Sequence, residues 1–307
     1  MSDITYQNER GAHAPMMQAS AGDYLALLKP RVMSLVLFTG IIGLSVAPGS
    51  IHPATAIIAL ICIAVGAGAS GAMNMWFDAD IDRIMQRTMN RPVPAGRIAP
   101  QEALAFGLFL SCAAVFTMAL LVNMAAAGML AFTIFFYVGI YTMWLKRRTV
   151  QNIVIGGAAG AFPPVIGWAA VTGGLEWPAW TMFALIFMWT PPHFWALALF
   201  RGGDYRSAGV PMLPVVAGET TTRRQIVLYT VAMIVVSFLP LLAGLGGPVY
   251  FAGAAIGGLI FMALSLLVWR EANGSYRNAG RLFGFSILYL FVLFALLPVD
   301  GIAGLAW

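Results

Sequence analysis

Apolar residues run along this chain in long blocks. A window of about 19 residues, enough to cross a bilayer as a helix, picks out segments near 30–48, 53–76, 101–121, 125–144, 150–171, 179–200, 225–244, 249–269 and 281–298. The pattern predicts nine transmembrane helices, hence an all-α, polytopic membrane protein. Four connections, Ala47 to Pro53, Val122 to Ala125, Thr172 to Pro178 and Ala243 to Val249, contain no Lys or Arg, and all 17 basic residues fall on the other side. Because Lys and Arg are held in the cytoplasm during insertion, this asymmetry predicts a cytoplasmic N-terminus and an outer C-terminus. A missed or extra helix would break the alternation, so the charges support the count of nine.

Polar chemistry interrupts the pattern most strongly from Asn74 to Arg97, NMWFDADIDRIMQRTMNRPVPAGR. If the second span continues as a helix, Asn74, Asp78 and Asp82 at i, i+4 and i+8 share one face, while Asp80 points elsewhere. Carboxylates near the hydrocarbon boundary are costly unless paired or metal-bound, and ending a helix does not require three oxygen ligands on one stripe. Mg²⁺ takes one or two protein carboxylates and completes its shell with water and phosphate oxygens, so the stripe points to a diphosphate held through Mg²⁺. Arg87 and Arg91 follow in a segment closed by Pro92 and Pro94, and Arg bonds phosphate bidentately. Lys146 is a candidate point-charge contact from another helix end. For Arg97, Arg147 and Arg148 the positive-inside bias is explanation enough.

Composition narrows the class. Of 307 residues 60% are hydrophobic and 9% charged, far from a soluble domain. A net charge of +5 suggests nucleic acid, but its one-sided distribution follows a membrane, and no nucleic-acid partner is expected. Residues 1–28 contain no apolar signal core and carry Asp3, Glu9 and Asp23, so they are expected to form a mobile cytosolic tail ahead of a single transmembrane domain, 29–307. Cys62 and Cys112 lie in apolar runs and read as packing residues. Gly156 with Gly160 and Gly253 with Gly257 form GxxxG pairs, read as close helix contacts. Prolines 163, 164, 191 and 192 inside two spans favour kinks that open a cavity.

Two cytosolic connections are long, roughly 77–100 and 201–224, and each places an acid before arginines: Asp78 and Asp82 in one, Asp204 in the other. Their likeness predicts a shared chamber. His193, in TPPHFWALALF, lies three helical turns (~16 Å) before Asp204. It reads either as a hydrogen-bonded interior residue or as a ligand for haem iron.

The NxxxDxxxD element Asn74–Asp82 with Arg87 to Pro92 resembles the first aspartate-rich motif of the UbiA-type intramembrane prenyltransferases. YTMWLKR at 141–147, PPHFWALA at 191–198 and DYRSAGVPMLPVV at 204–216 are similar to the branch of that family that farnesylates haem. The resemblance extends from YLALLKPRV at 24–32 to the last span. It implies a nine-helix bundle around a central cavity open to lipid; with no organelle-targeting segment evident, a bacterial inner membrane is expected, and the one-sided basic residues turn the active site to the cytoplasm. It also implies Mg²⁺-dependent transfer of a farnesyl group from farnesyl diphosphate to a vinyl group of haem b. Haem A synthase or a terminal oxidase assembly would stand downstream as a partner.

The resemblance makes Asn74, Asp78, Asp82 and Asp204 the catalytic and metal residues, Arg87, Arg91 and Lys146 the diphosphate contacts, and His193 the haem contact. Trp76, Phe77, Trp189, Phe194 and Trp195 are candidates to stabilise an allylic cation. One departure concerns Asp204, followed at +4 by Ala208 where an acid is usual in the family, so a second metal position is in question. Two other readings stay open: a prenyltransferase acting on an aromatic quinone precursor, and a secondary transporter with broken helices.

Overall fold

The structure, a computed structural model, describes residues 19–304. Among these residues every regular element is helical. Proline opens six helices of ten residues or more at their first or second position: α2 (Pro30–Ser45), α3 (Pro53–Phe77), α5 (Pro100–Leu121), α8 (Pro163–Thr172), α9 (Trp177–Phe200) and α14 (Pro248–Trp269). A proline there loses no hydrogen bond and is already preset for helix. Between them lie α1 (Ala21–Leu27), α4 (Ala79–Ile84), α6 (Met124–Phe135), α7 (Asn152–Ala161), α10 (Gly202–Ser207), α11 (Leu213–Val216), α12 (Gly218–Val236) and α13 (Leu239–Leu242), and α15 (Arg277–Ile302) ends the fold.

Among the described residues, eight helical stretches are long and apolar enough to cross a membrane, from Pro53–Phe77 to Arg277–Ile302. The first expected span differs from its simple reading: α2 covers only Pro30–Ser45, and with α1 it makes a pair bent by 57°, which gives nine if the pair counts as one span. Of the expected tail 1–28, residues 1–18 lie outside the described residues. The remainder is not a tail, because α1 is opened by a Ser20–Asp23 capping box and buries Leu27 in a cluster that includes Met75 and Val93.

The core is a bundle in which α9 is central, packing on α7, α12 and α15, while α3 pairs with α5 and α2 with α8. Gly43 and Gly167 let the last pair touch. A Cβ on Gly43 would stand 2.1 Å from the Pro164 carbonyl, and one on Gly167 would stand 2.2 Å from that of Gly40. Gly253 and Gly257 contact Leu296 and Tyr289 of α15, as the GxxxG reading expects. Gly160 does not follow that reading, because a Cβ on it would meet nothing within 4 Å and it lines the central cavity. Outward, Phe109, Phe116 and Leu259 are largely exposed, the surface a lipid-facing bundle presents.

The prolines act unequally. Pro163 starts a new helix after a break at Phe162, whereas Pro191 and Pro192 sit inside an unbroken α9.

Candidate functional site

The polar stretch begins as the last turn of α3. This helix ends at Phe77, Asp78 caps it, and α4 starts at Ala79, so the face predicted on one continuous helix is split between two. The i→i+4 spacing survives the break, with Asp78 N–H donating to the Asn74 carbonyl at 2.9 Å and Asp82 N–H to the Asp78 carbonyl at 2.8 Å. Asn74, Asp78 and Asp82 are accordingly all buried. Asp80 turns outward with a side chain 63% exposed. Both oxygens of Asp80 accept from Arg147 at 2.7 Å, and those bonds hold its carboxyl below the usual carboxylate range.

Buried carboxylates must be answered by charge or hydrogen bonds, and here the answer is incomplete. Asp78 Oδ2 accepts from Lys146 Nζ at 2.5 Å and from Asn74 Nδ2 at 2.6 Å. Asp82 Oδ2 accepts from Arg91 Nη1 at 2.6 Å. The second oxygen of each, Oδ1, is buried without a hydrogen-bond partner; the nearest cation recorded for Asp78 Oδ1 is Arg147 Nη2 at 3.5 Å. Lys29 Nζ completes the group by donating to Asn74 Oδ1 at 2.7 Å.

Two local irregularities deliver these cations. Lys29 is the one non-glycine residue with positive φ among the described residues, at 53°, in the sharp bend between α1 and α2. The span after Asn123 opens into a nine-residue π-helix, Phe136–Trp144, followed by a 3₁₀ turn, Leu145–Arg147. A π-helix is wider than an α-helix and is frequent at functional sites. Here it carries Tyr137 and Tyr141 to the cavity wall and brings Thr142 Oγ1 within 3.1 Å of Asn74 Nδ2. The basic run therefore divides: Lys146 turns onto Asp78, Arg147 bonds Asp80 and the Phe77 carbonyl, and Arg148 is exposed.

Behind this charged end lies a cavity of about 1040 Å³. Lys29, Asn74, Asp82, Arg87, Arg91 and Lys146 line its polar end, and Phe38, Ile186, Leu290 and Phe291 are among its apolar walls. His193 lines it from α9, sandwiched between Trp189 at 4.1 Å and Phe283 at 4.6 Å, both nearly parallel to its ring. Its Nδ1 lies 2.7 Å from Ser286 Oγ on α15.

Most of the residues singled out in the sequence line this cavity, but not all: Asp78 is fully buried against Lys146 and does not line it. Asp204 belongs to the short helix α10 and does not line the cavity; its neighbour Tyr205 does, and burial pushes that phenol up. Of the five aromatic candidates for cation stabilisation, Trp189 and Phe194 line the cavity. Trp76, Phe77 and Trp195 do not, and Phe77 instead carries the Arg147 guanidinium 4.8 Å above its ring. The sequence reading missed Lys29, Tyr137, Tyr141 and Asn152. Of these only Asn152, a lone amide where an apolar span begins, carried a signal; it is buried, lines the cavity and donates to the Lys146 carbonyl at 3.3 Å.

Known proteins share this architecture. The UbiA prenyltransferase family matches residues 36–288. A protoheme IX farnesyltransferase of Parvibaculum lavamentivorans is 59% identical over 309 residues, covering 99% of this chain and 97% of that protein. Among solved structures, one of digeranylgeranylglyceryl phosphate synthase superposes with a TM-score of 0.76 at 21% identity, covering 92% of this chain and 98% of that one. A UbiA homolog from Archaeoglobus fulgidus bound to GPP and Mg²⁺ gives 0.61 at 16%, covering 90% and 99%.

Proposed function

The chain belongs to the UbiA prenyltransferase family, a multi-pass membrane prenyltransferase, and on that premise we propose that it transfers a farnesyl group from farnesyl diphosphate to a vinyl group of haem b. The observation that carries the reading is Asp82 Oδ1, a buried oxygen without a hydrogen-bond partner on a residue that lines the cationic end of a cavity whose wall includes His193; Asp78 Oδ1, also without a hydrogen-bond partner, lies one helical turn away outside the cavity lining. The donor set fits Mg²⁺. Among the described residues no three His, Cys, Asp or Glu side chains form a metal cage, and Mg²⁺ favours one or two carboxylates with the remaining positions filled by water and phosphate oxygens. Asp78 and Asp82 would hold it with the Asn74 amide, and Asp204 is at most a contributor through water. When bound, Mg²⁺ neutralises the charge that develops on the leaving diphosphate.

The protein's own groups supply the rest. Lys29, Arg87, Arg91 and Lys146 hold the diphosphate at the polar end, so the allylic C–O bond breaks with its electron pair passing to a phosphate oxygen already surrounded by cations. The apolar walls exclude water from the farnesyl cation, and the faces of Trp189 and Phe194 stabilise it. The vinyl terminus of haem attacks this cation. The benzylic-type cation left on the other vinyl carbon takes water and releases a proton, giving a hydroxyethylfarnesyl group and diphosphate. His193 holds haem through its iron. Placement of every Lys and Arg on one side of the spans supports a bacterial inner-membrane protein whose charged end faces the cytoplasm.

The test combines purified protein with haem b, farnesyl diphosphate and Mg²⁺. The expected outcome is release of diphosphate with a haem heavier by one farnesyl group and one hydroxyl, and loss of both on chelation. Prenylation of a quinone precursor while haem stays unchanged would overturn the haem reading.

A further inference from the structure

Ser286 lies on α15, 93 residues after His193 in the sequence, and nothing in its local sequence marks it. Its hydroxyl is 2.7 Å from two groups, His193 Nδ1 and the Phe283 carbonyl. A hydroxyl has one proton to donate, and a carbonyl can only accept. If that proton went to Nδ1, the hydroxyl oxygen would face the Phe283 carbonyl lone pair to lone pair at hydrogen-bond distance. The satisfied arrangement sends the Ser286 proton to Phe283 and makes Ser286 Oγ the acceptor of a proton on Nδ1. His193 is then the Nδ1–H tautomer, with a bare lone pair on Nε2.

The surroundings hold this arrangement in place. Trp189 Nε1 donates to the Ser286 carbonyl at 2.7 Å, tying α9 to the same turn of α15. Trp189 and Phe283 clamp the imidazole between nearly parallel rings, so the ring plane is fixed by packing and its rotation by Ser286. Among the described residues Nε2 has no hydrogen-bond partner, and the ring lines the cavity. A histidine so held, with one nitrogen bonded outward to the protein and the other free, matches the way proteins orient imidazole toward a metal: the outer bond selects the tautomer and raises the basicity of the coordinating nitrogen.

We propose that Ser286 is a positioning residue that holds His193 as the Nδ1–H tautomer, aiming the Nε2 lone pair at the iron of the haem substrate. This inference rests on the reading of His193 as the haem contact. It adds that the contact is preorganised from a different helix, and that it is made through Nε2.

The tautomer can be read without haem. The chain has three histidines, so the ¹⁵N spectrum of the [¹⁵N]His-labelled protein in detergent assigns His193 by comparison with His193→Ala. A protonated-type shift at Nδ1 and a bare-type shift at Nε2 are expected; the reverse pattern overturns the proposal. The functional arm compares haem affinity and the Fe–His resonance Raman band in wild type, Ser286→Ala, Ser286→Thr and His193→Ala, with farnesyl diphosphate binding as the check on folding. Ser286→Ala is expected to weaken haem binding about 10- to 100-fold, the usual range for loss of an outer partner of a metal ligand, and to shift the Fe–His band. Ser286→Thr restores both, and His193→Ala abolishes the band. If the band persists in His193→Ala, the haem-contact reading itself fails. If it is lost there but Ser286→Ala matches wild type in affinity and band, only the role of Ser286 fails.

Discussion

Two ends of the bundle bury carboxylates and treat them in opposite ways. At one end Asp300 is fully buried on α15 and accepts three backbone N–H groups at the start of α14: Gly247 at 2.7 Å, Val249 at 3.0 Å and Tyr250 at 2.9 Å. Its charge is met by the free N–H groups and positive end of a helix dipole. Nearby on that side, Glu176 accepts from the Trp168 indole and, at 3.1 Å, from Thr172. At the other end Asp78 and Asp82 are equally buried, yet each leaves an oxygen without a hydrogen-bond partner and is paired with side-chain cations rather than backbone. A saturated buried carboxylate is part of the scaffold. An unsaturated one among cations is a ligand waiting for a partner, and its strain lowers stability in exchange for binding.

The largest effect expected from this contrast is on turnover. Asp78→Ala and Asp82→Ala should each lower kcat by about 10²–10³, the scale for removing a preorganised electrostatic contact, while the melting temperature in detergent stays near wild type. Unchanged turnover in both variants would remove the metal site from the mechanism. Next in size, Lys146→Ala should weaken farnesyl diphosphate use about ten- to a hundredfold, read as kcat/KM at saturating haem, because a single charge-assisted contact is worth about 1.5–3 kcal/mol. If Lys146→Ala instead leaves kcat/KM intact, Lys146 only neutralises Asp78.

At the opposite end the expected signature reverses. Asp300→Ala should leave kcat and KM unchanged but cost about 1–2 kcal/mol of stability, the range for a lost helix N-cap, measured by thermal melting. A larger loss of activity than of stability would erase the distinction between the two ends. The smallest effect concerns pH. Hydrogen bonds from Trp168 and then Thr172 hold Glu176 below its ordinary carboxyl value. Its folded-state pKa is therefore below its unfolded one, so its contribution is present above the ordinary glutamate range and is lost as pH falls through the depressed value. Glu176→Gln should flatten that acid limb of the melting curve without altering turnover.

The two long polar connections, so alike in sequence, teach the same lesson from side-chain burial. Arg91 of the first pairs with Asp82 at the cavity. Arg223 of the second is buried more deeply than Arg91 and donates to the Glu271, Ala272 and Ser275 carbonyls and to Asn273, pinning the turn between α14 and α15. Residue type and order were the same; the destination of the side chain was not.

By itself the sequence determined where the chain crosses the membrane, which side carries its charge, and that Asn74, Asp78 and Asp82 share a face with Asp80 turned away. Those are local properties: hydrocarbon thickness sets the length of an apolar run, and helical period sets which side chains align. Only the tertiary structure decided which partners meet across the bundle. Lys29 reaches Asn74 from 45 residues away, and Ser286 reaches His193 from 93. It also excluded Asp204 from the cavity and opened the π-helix that turns Lys146 inward. Periodicity reports the direction a side chain faces, whereas its partner depends on how helices distant in sequence pack, and that is set by the fit of their surfaces as a whole.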